Sequence, residues 1–260
     1  MEKIGIVIPA HNEEDRISQT LKDYINYFKK LKMEGVLDFL ILVVLNACTD
    51  NTGEVVSKFK CLELDTINFK RPGKGFAIAE GFKKLTKEDY DLIGFIDADG
   101  ATPPNAFYGL IKNVGRYDGI IANRWDKMSK IIKQTFLRRV LSRGFNFLIR
   151  ILFPLPYKDT QCGAKLFKKH ALKKIENDLY ITHWAFDINL LYALNKRKFK
   201  INVIPTEWTD KEGSKINVKK VPLMMFIGVV RLRLLNSFLK DFLRLYDRMP
   251  EWIKLHHRWR

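Results

Sequence analysis

The chain holds 260 residues, enough to bury a full core as one domain or as one domain plus an extension. With 47% hydrophobic and 29% charged residues it is not a disordered chain, and no apolar stretch reaches the roughly 18–20 residues of a membrane-spanning helix. The net charge of +17 lies wholly in the second half: residues 1–124 carry 17 Lys/Arg against 18 Asp/Glu, whereas 125–260 carry 29 against 11. Such a half calls for an anionic partner, whether nucleic acid, a membrane surface or a phosphorylated substrate.

A strand is expected at Ile4–Pro9, directly after Met1-Glu2-Lys3, which leaves no room for a signal peptide. Cys48, Cys61 and Cys162 fall at unrelated spacings without a metal pattern and read as reduced thiols, so the expected location is cytoplasmic. A helix over Glu13–Lys32 follows, with Ile17, Leu21, Tyr24, Ile25 and Phe28 on one face. The next strand is Phe39–Leu45, then a helix from about Thr49, a weaker strand near Leu62–Ile67 and a helix over Lys74–Leu85. Leu92–Asp97 is a strand, Pro103 opens a helix, and Gly119–Ala122 is a further strand. This alternation predicts an α/β fold whose largely parallel sheet is covered on both faces.

The second half changes character. Residues 128–153 mix Ile131, Phe136, Leu137, Val140, Phe145 and Leu148 with Arg138, Arg139, Arg143 and Arg150; residues 221–248 repeat the theme. Basic amphipathic helices with aromatics suit an anionic membrane surface, although packing on the sheet with arginines in solvent accounts for either segment alone.

Four polar segments terminate successive strands: Pro9-Ala10-His11-Asn12-Glu13-Glu14, Asn46-Ala47-Cys48-Thr49-Asp50-Asn51-Thr52, Arg71-Pro72-Gly73-Lys74-Gly75 and Asp97-Ala98-Asp99-Gly100. Loops at the strand ends of a parallel sheet converge on one edge, where such sheets bind ligands. Asp97 and Asp99, one residue apart where a buried strand surfaces, suit a hard divalent cation that keeps room for phosphate oxygens. Glycines flanking Lys74 allow close backbone approach, and a helix N-terminus favours a phosphate. Asn12 and Asp50 suit helix caps equally well taken singly.

At these residues the chain resembles glycosyltransferase family 2, inverting enzymes of the GT-A fold. The likeness continues through Asp159-Thr160-Gln161-Cys162-Gly163-Ala164-Lys165-Leu166-Phe167, Trp184-Ala185-Phe186-Asp187, Trp208 and Glu212-Gly213-Ser214-Lys215. It is most similar to the dolichyl-phosphate β-glucosyltransferase branch, neighbour to the dolichyl-phosphate mannose synthases. The resemblance implies a GT-A domain over 1–220, including an amphipathic acceptor-side helix at about 128–153, and a basic amphipathic extension over 221–260. Pro9, Ala10, Asn12 and Glu13 would line the nucleoside, with Asn46 facing the base. Asp50, Gly75 and Ala98 would complete the nucleotide-sugar site, and Lys74 and Lys215 would lie near the diphosphate. Asp97 and Asp99 would hold Mg²⁺ or Mn²⁺, Asp99 the more directly. Arg124, Arg138 and Ser142 match positions that meet the lipid phosphate. The chain departs from the pattern at Leu45-Asn46, Ala101 and Asn189.

The resemblance therefore implies inverting transfer of a hexose, glucose, from a UDP-sugar to dolichyl or polyprenyl phosphate at the cytosolic membrane face. An amide at Asn46 suits uracil better than guanine. A phosphate acceptor needs no general base, whereas a sugar hydroxyl would need one, for which Asp159 and Asp187 are the candidates. Each equally suits a structural role, Asp159 at the Gln161-Cys162-Gly163 turn and Asp187 in bracing a helix. A GDP-mannose-dependent polyprenyl-phosphate mannosyltransferase is the alternative of different sugar. A nucleic-acid partner is not expected, because recognition modules are absent and the acidic site repels phosphates without metal.

Overall fold

The computed structural model describes residues 1–132, 136–180, 183, 185–209 and 220–240, with the backbone alone for 136–142 and 220–224. Strands β1 (Glu2–Ala10), β2 (Leu37–Asn46), β3 (Leu64–Phe69), β4 (Leu92–Phe95) and β5 (Gly119–Asn123) alternate with helices α1 (Ile17–Met33), α2 (Thr52–Ser57), α3 (Lys74–Leu85) and α4 (Pro104–Asn113). Then come β6 (Lys130–Ile132), α5 (Phe136–Leu152), β7 (Lys165–Lys168), α6 (Lys169–Ile175) and α7 (Phe186–Lys196). The described elements end with β8 (Ile201–Pro205), β9 (Glu207–Thr209) and α8 (Lys220–Leu235).

Seven strands make one sheet in the order β3-β2-β1-β4-β7-β5-β8, while β6 and β9 pair as a separate two-stranded ribbon. Alternate residues of β1 feed opposite layers: Ile4, Ile6 and Ile8 join the core beneath α1 and α4, Val7 the core beneath α3 and α7. Both faces are thus buried, which is why this strand reads as a continuous apolar run.

The expected strand–helix alternation stands, and α3 has the expected bounds. Helix α1 begins later than Glu13 because residues 13–16 form a turn, with the Glu13 carbonyl accepting from the Arg16 and Ile17 N–H groups at 3.0 and 2.9 Å. Helix α2 starts at Thr52, whose N–H donates to Asp50 Oδ1 at 3.0 Å. Four strands were not expected. β7 is the important one: it runs antiparallel between β4 and β5, with Lys165 opposite Phe95. The residues just before β7 therefore lie beside those just after β4, which brings the Cys162-Gly163 turn to Asp97.

The β1 and β2 ends turn through two left-handed residues, Asn12 at φ 55° and Ala47 at φ 51°. Asn tolerates this region; the Cβ of Ala47 there costs about 1–2 kcal/mol. Ala47→Gly removes that cost and returns about 0.4–1 kcal/mol of unfolded-chain entropy, so a net stabilisation of about 0.5–1 kcal/mol is expected in urea unfolding. An unchanged or lower midpoint contradicts it.

Candidate nucleotide-sugar site

The chain's carboxylate pair lies at the C-terminal edge of the sheet, beyond β4, where β1 and β4 part company and the connections run to opposite sides. Helix α1 clamps this loop from one side. Thr20 Oγ1 donates to the Ala98 carbonyl at 2.8 Å, and the Tyr24 hydroxyl to the Thr102 carbonyl at 3.0 Å. From the other side the Thr209 N–H donates to the Ala101 carbonyl at 2.9 Å. Gly100, at φ 68°, leaves room for Thr20 Oγ1, which a Cβ there would meet at 2.9 Å.

Asp97 is ion-paired with Lys74, the first residue of α3, and the two side chains are 31% and 33% exposed. Burial works against the Asp97 charge, but Lys74, Lys165 and Arg124 outweigh it and hold the carboxyl below the ordinary aspartate value. Asp99 moves the other way, raised by burial and by the neighbouring Asp97 charge, with Ala101 N–H donating to Oδ1 at 3.0 Å. Glu13 stands close enough to feel both carboxylates; burial raises it against the pull of Arg16, which grips it at 2.7 and 2.8 Å. Lys74 itself is raised: burial opposes its charge, and Asp97, Asp187 and Asp99 prevail. Among the described residues the site is an acidic cleft into which the Lys74 ammonium reaches.

The remaining loops are tied to one another. Asn12 Oδ1 accepts from the Thr49 N–H at 2.8 Å, and its amide donates to Thr49 Oγ1 at 3.0 Å. Thr52 Oγ1 receives the Glu13 N–H at 2.8 Å and donates to Asp50 Oδ1 at 2.5 Å, so Asp50 organises the β2–α2 turn. Pro9 and Ala10 end β1 beneath these loops. Asn46 is 2% exposed and does not face a base: its amide donates to the Ala10 carbonyl at 2.8 Å and its Oδ1 accepts the Gly73 N–H at 3.0 Å. With both ends of its amide engaged, Asn46 offers no preference for uracil over guanine. Gly75 has a packing role besides the expected one. Its missing side chain makes room for Phe186, whose ring carbons a Cβ would meet at 2.7 and 2.9 Å, so helix packing also requires a glycine here. Gly73 is the glycine that conformation demands, at φ 132°.

Asp159 is fully buried and accepts from Arg124 N at 3.0 Å, Nε at 2.8 Å and Nη2 at 2.9 Å, and from Gln161 N at 3.2 Å. Arg124 lies 5.2 Å above the Trp208 ring centroid. Asp187 receives the Lys165 ammonium at 2.5 Å, and the same ammonium donates to the Cys162 carbonyl at 2.6 Å. Both candidate bases are thus committed to internal cations. Cys162 is buried, and burial pushes its thiol up to about 11, as suits a small core residue. Arg138 and Ser142 lie on α5 where the backbone alone is described, and Trp184 and Lys215 lie outside the described residues.

Two contributors went unrecognised in the sequence. Lys165 sits with its side chain 0% exposed in a four-residue strand, a placement that its charge argues against and that only its partner Asp187 explains. Gly163 matters through absence, because a Cβ there would overlap the Asp97 carboxylate. Gly163→Ala is expected to cost on the order of a hundredfold in kcat/KM by moving that carboxylate, with a stability loss of about 1–3 kcal/mol from overpacking. Steady-state kinetics beside urea midpoints check this, and an Ala variant with wild-type kcat/KM refutes it.

The profile of Glycosyl transferase family 2 matches residues 5–176, about two thirds of the sequence. The chain belongs to that family. Among relatives of this glycosyltransferase, the Dictyostelium discoideum dolichyl-phosphate beta-glucosyltransferase is 28% identical, over 88% of this chain and 73% of the relative. A Trichomonas vaginalis dolichyl-phosphate beta-glucosyltransferase, ALG5D, is 30% identical over 88% and 72%, and the human dolichyl-phosphate beta-glucosyltransferase 30% over 83% and 70%. In structure, this glycosyltransferase matches glucosyl-3-phosphoglycerate synthase of Mycobacterium tuberculosis, solved with Mn²⁺, UDP-glucose and phosphoglyceric acid. The TM-score is 0.64 at 16% identity, over 89% of this chain and 80% of that one. The fold is GT-A: a mostly parallel central sheet flanked by helices.

Proposed function

We propose that this glycosyltransferase moves glucose from UDP-glucose to dolichyl or polyprenyl phosphate at the surface of a membrane, inverting the anomeric centre. The observation that carries the reading is the placement of Asp97, Asp99 and Lys74 together at the sheet edge where nucleotides bind. The relatives named for dolichyl-phosphate glucosyl transfer support the acceptor and the sugar, and the UDP-glucose in the matched structure supports the donor.

The donor set suits Mg²⁺ or Mn²⁺. Both are hard cations that take carboxylate oxygens, and Asp97 and Asp99 are a like-charged pair whose mutual repulsion a cation relieves. Among the described residues no group of three or more His, Cys, Asp or Glu could enclose a metal. Asp97 and Asp99 would hold it, leaving positions for phosphate oxygens and water. When bound, the metal neutralises charge on the departing diphosphate. Lys74 adds an ammonium on the same side, and Lys215 is assigned the same task. Pro9, Ala10, Asn12, Glu13 and Asp50 are assigned to the nucleoside side, and Ala98, between the two carboxylates, to the same nucleotide-sugar site.

The commitment of Asp159 and Asp187 to Arg124 and Lys165 favours an acceptor that needs no base. A phosphate monoester, with its second pKa near 6, is mostly dianionic at neutral pH and needs only to be placed. Arg138, Ser142 and Arg124 are assigned to that placement. The membrane surface is supported by α5 and α8, which lie against each other. Phe147 and Ile151, one turn apart, are 67% and 66% exposed on α5, flanked by exposed Arg143 and Arg150; Phe226 and Ile227 are exposed on α8. No helix among the described residues is long and apolar enough to cross a membrane.

The test is a transfer assay with Mn²⁺, pairing UDP-glucose or GDP-mannose with dolichyl phosphate or with unphosphorylated dolichol in anionic liposomes. Turnover with UDP-glucose and dolichyl phosphate alone is expected. Turnover only with GDP-mannose, or equal turnover with the bare alcohol, overturns the donor or the acceptor respectively.

A further inference from the structure

The ammonium of Lys74 sits on Asp97, one of the two carboxylates that the metal needs. A divalent cation and the Lys74 ammonium compete for the same Asp97 carboxylate. We propose that Lys74 is an exchangeable plug on Asp97, so that the metal and the donor's diphosphate bind only weakly apart and strongly together. The inference rests on the donor and metal reading above and adds to it a coupling between the two ligands.

Three features make Lys74 the movable partner. It is the first residue of α3, its backbone held by the left-handed Gly73, while its side chain reaches Asp97 from a position one third exposed. It lies within a cleft whose other carboxylates, Asp99 and Asp187, also draw its charge, so it is not confined to one acceptor. And Asp97 is not orphaned when Lys74 leaves. Lys165 is a second cation acting on Asp97, fixed by Asp187 at 2.5 Å and the Cys162 carbonyl at 2.6 Å with no exposure at all. Arg124, locked to Asp159, is a third. The carboxylate has a permanent set of counter-charges and one that can go.

The sequence of events follows from charge. Without nucleotide, a divalent cation must displace an ammonium that has nowhere else to go except the neighbouring carboxylates. With a diphosphate present, Lys74 gains an anionic acceptor on the open side and Asp97 is released to the metal. Because coupling between two ligands is reciprocal, the metal must tighten nucleotide binding by the same factor that the nucleotide tightens metal binding.

The test measures Mn²⁺ binding through loss of the free-ion electron paramagnetic resonance signal, for the full chain with and without UDP. Lys74→Met removes the ammonium and keeps the stem; Lys74→Gln repeats the test with a polar side chain. Both variants are expected to bind Mn²⁺ without UDP about tenfold more tightly than the parent, the scale of one charge-assisted hydrogen bond lost by a competitor. The enhancement by UDP is expected to shrink by a similar factor. Unchanged or weaker Mn²⁺ binding in both variants without UDP overturns the plug while leaving the metal site standing. If the parent chain binds no Mn²⁺ even with UDP, the donor and metal reading fails, and the plug with it.

Discussion

Replacing Asp97 and Asp99 together by Asn is expected to lower the rate of glucosyl transfer about a thousandfold or more and to leave the folded chain intact. Removing a single group that stabilises developing charge commonly costs about 10²–10³ in rate, and this pair would hold the metal facing the leaving diphosphate. The fold should tolerate the change for local reasons. Asp97 is a third exposed, so its pairing with Lys74 contributes little to stability in solvent. An Asn at 99 keeps an oxygen for the Ala101 N–H, which now donates to Asp99 Oδ1 at 3.0 Å. The clamps on the loop, from Thr20 to the Ala98 carbonyl and from Tyr24 to the Thr102 carbonyl, involve backbone oxygens and are untouched. The decisive comparison is kcat with Mn²⁺ against the thermal midpoint of the same preparation. Undiminished transfer in the double variant ends the assignment of these carboxylates to the chemistry.

The first half of the fold was legible because its strands are buried on both faces and its helices on one. Periodicity then separates them, as at Ile4–Pro9 and at the Ile17, Leu21, Tyr24, Ile25, Phe28 stripe. The second half was not, because β6, β7, β8 and β9 are three to five residues long and their signals sink into neighbouring polar segments. Lys165 is the sharpest case. Its charge argues for the surface, and only a partner 22 positions away in sequence allows it inside. The candidate site shows the same division. Acidic and basic residues at strand ends announced themselves, but what each holds depends on contacts across loops. Asn46 has an amide suited to a base, yet it joins the β1 end to Gly73, a link invisible without the sheet's register. Gly75 and Gly163 carry no side chain to read at all. Their importance lies in Phe186 and Asp97, which fill the space left to them.

Asp159→Ala is expected to destabilise the protein by about 3–5 kcal/mol, the cost of leaving a buried cation without its partner. Asp159 is fully buried and Arg124 is 13% exposed, with the guanidinium forked onto both carboxylate oxygens at 2.8 and 2.9 Å. Truncation strands that guanidinium over the Trp208 ring and also releases the Arg124 and Gln161 N–H groups. Replacing both partners by Arg124→Met with Asp159→Leu should recover most of the loss, because an apolar pair of similar volume carries no desolvation cost. Acid gives an independent handle. Burial opposes the Asp159 charge, but Arg124 prevails and holds the folded carboxyl below its ordinary value. The contribution is therefore complete above the unfolded aspartate pKa of about 3.9 and declines as pH falls below it, by up to about 1.4 kcal/mol per pH unit for one group. That part of the acid slope should vanish in the double variant. A catalytic base would behave differently: Asp159→Asn would then melt like the parent and fail to turn over a hydroxyl acceptor. Urea midpoints of Asp159→Ala and the double variant at pH 7 and pH 3 separate the two roles, and an Ala variant as stable as the parent sinks the structural one.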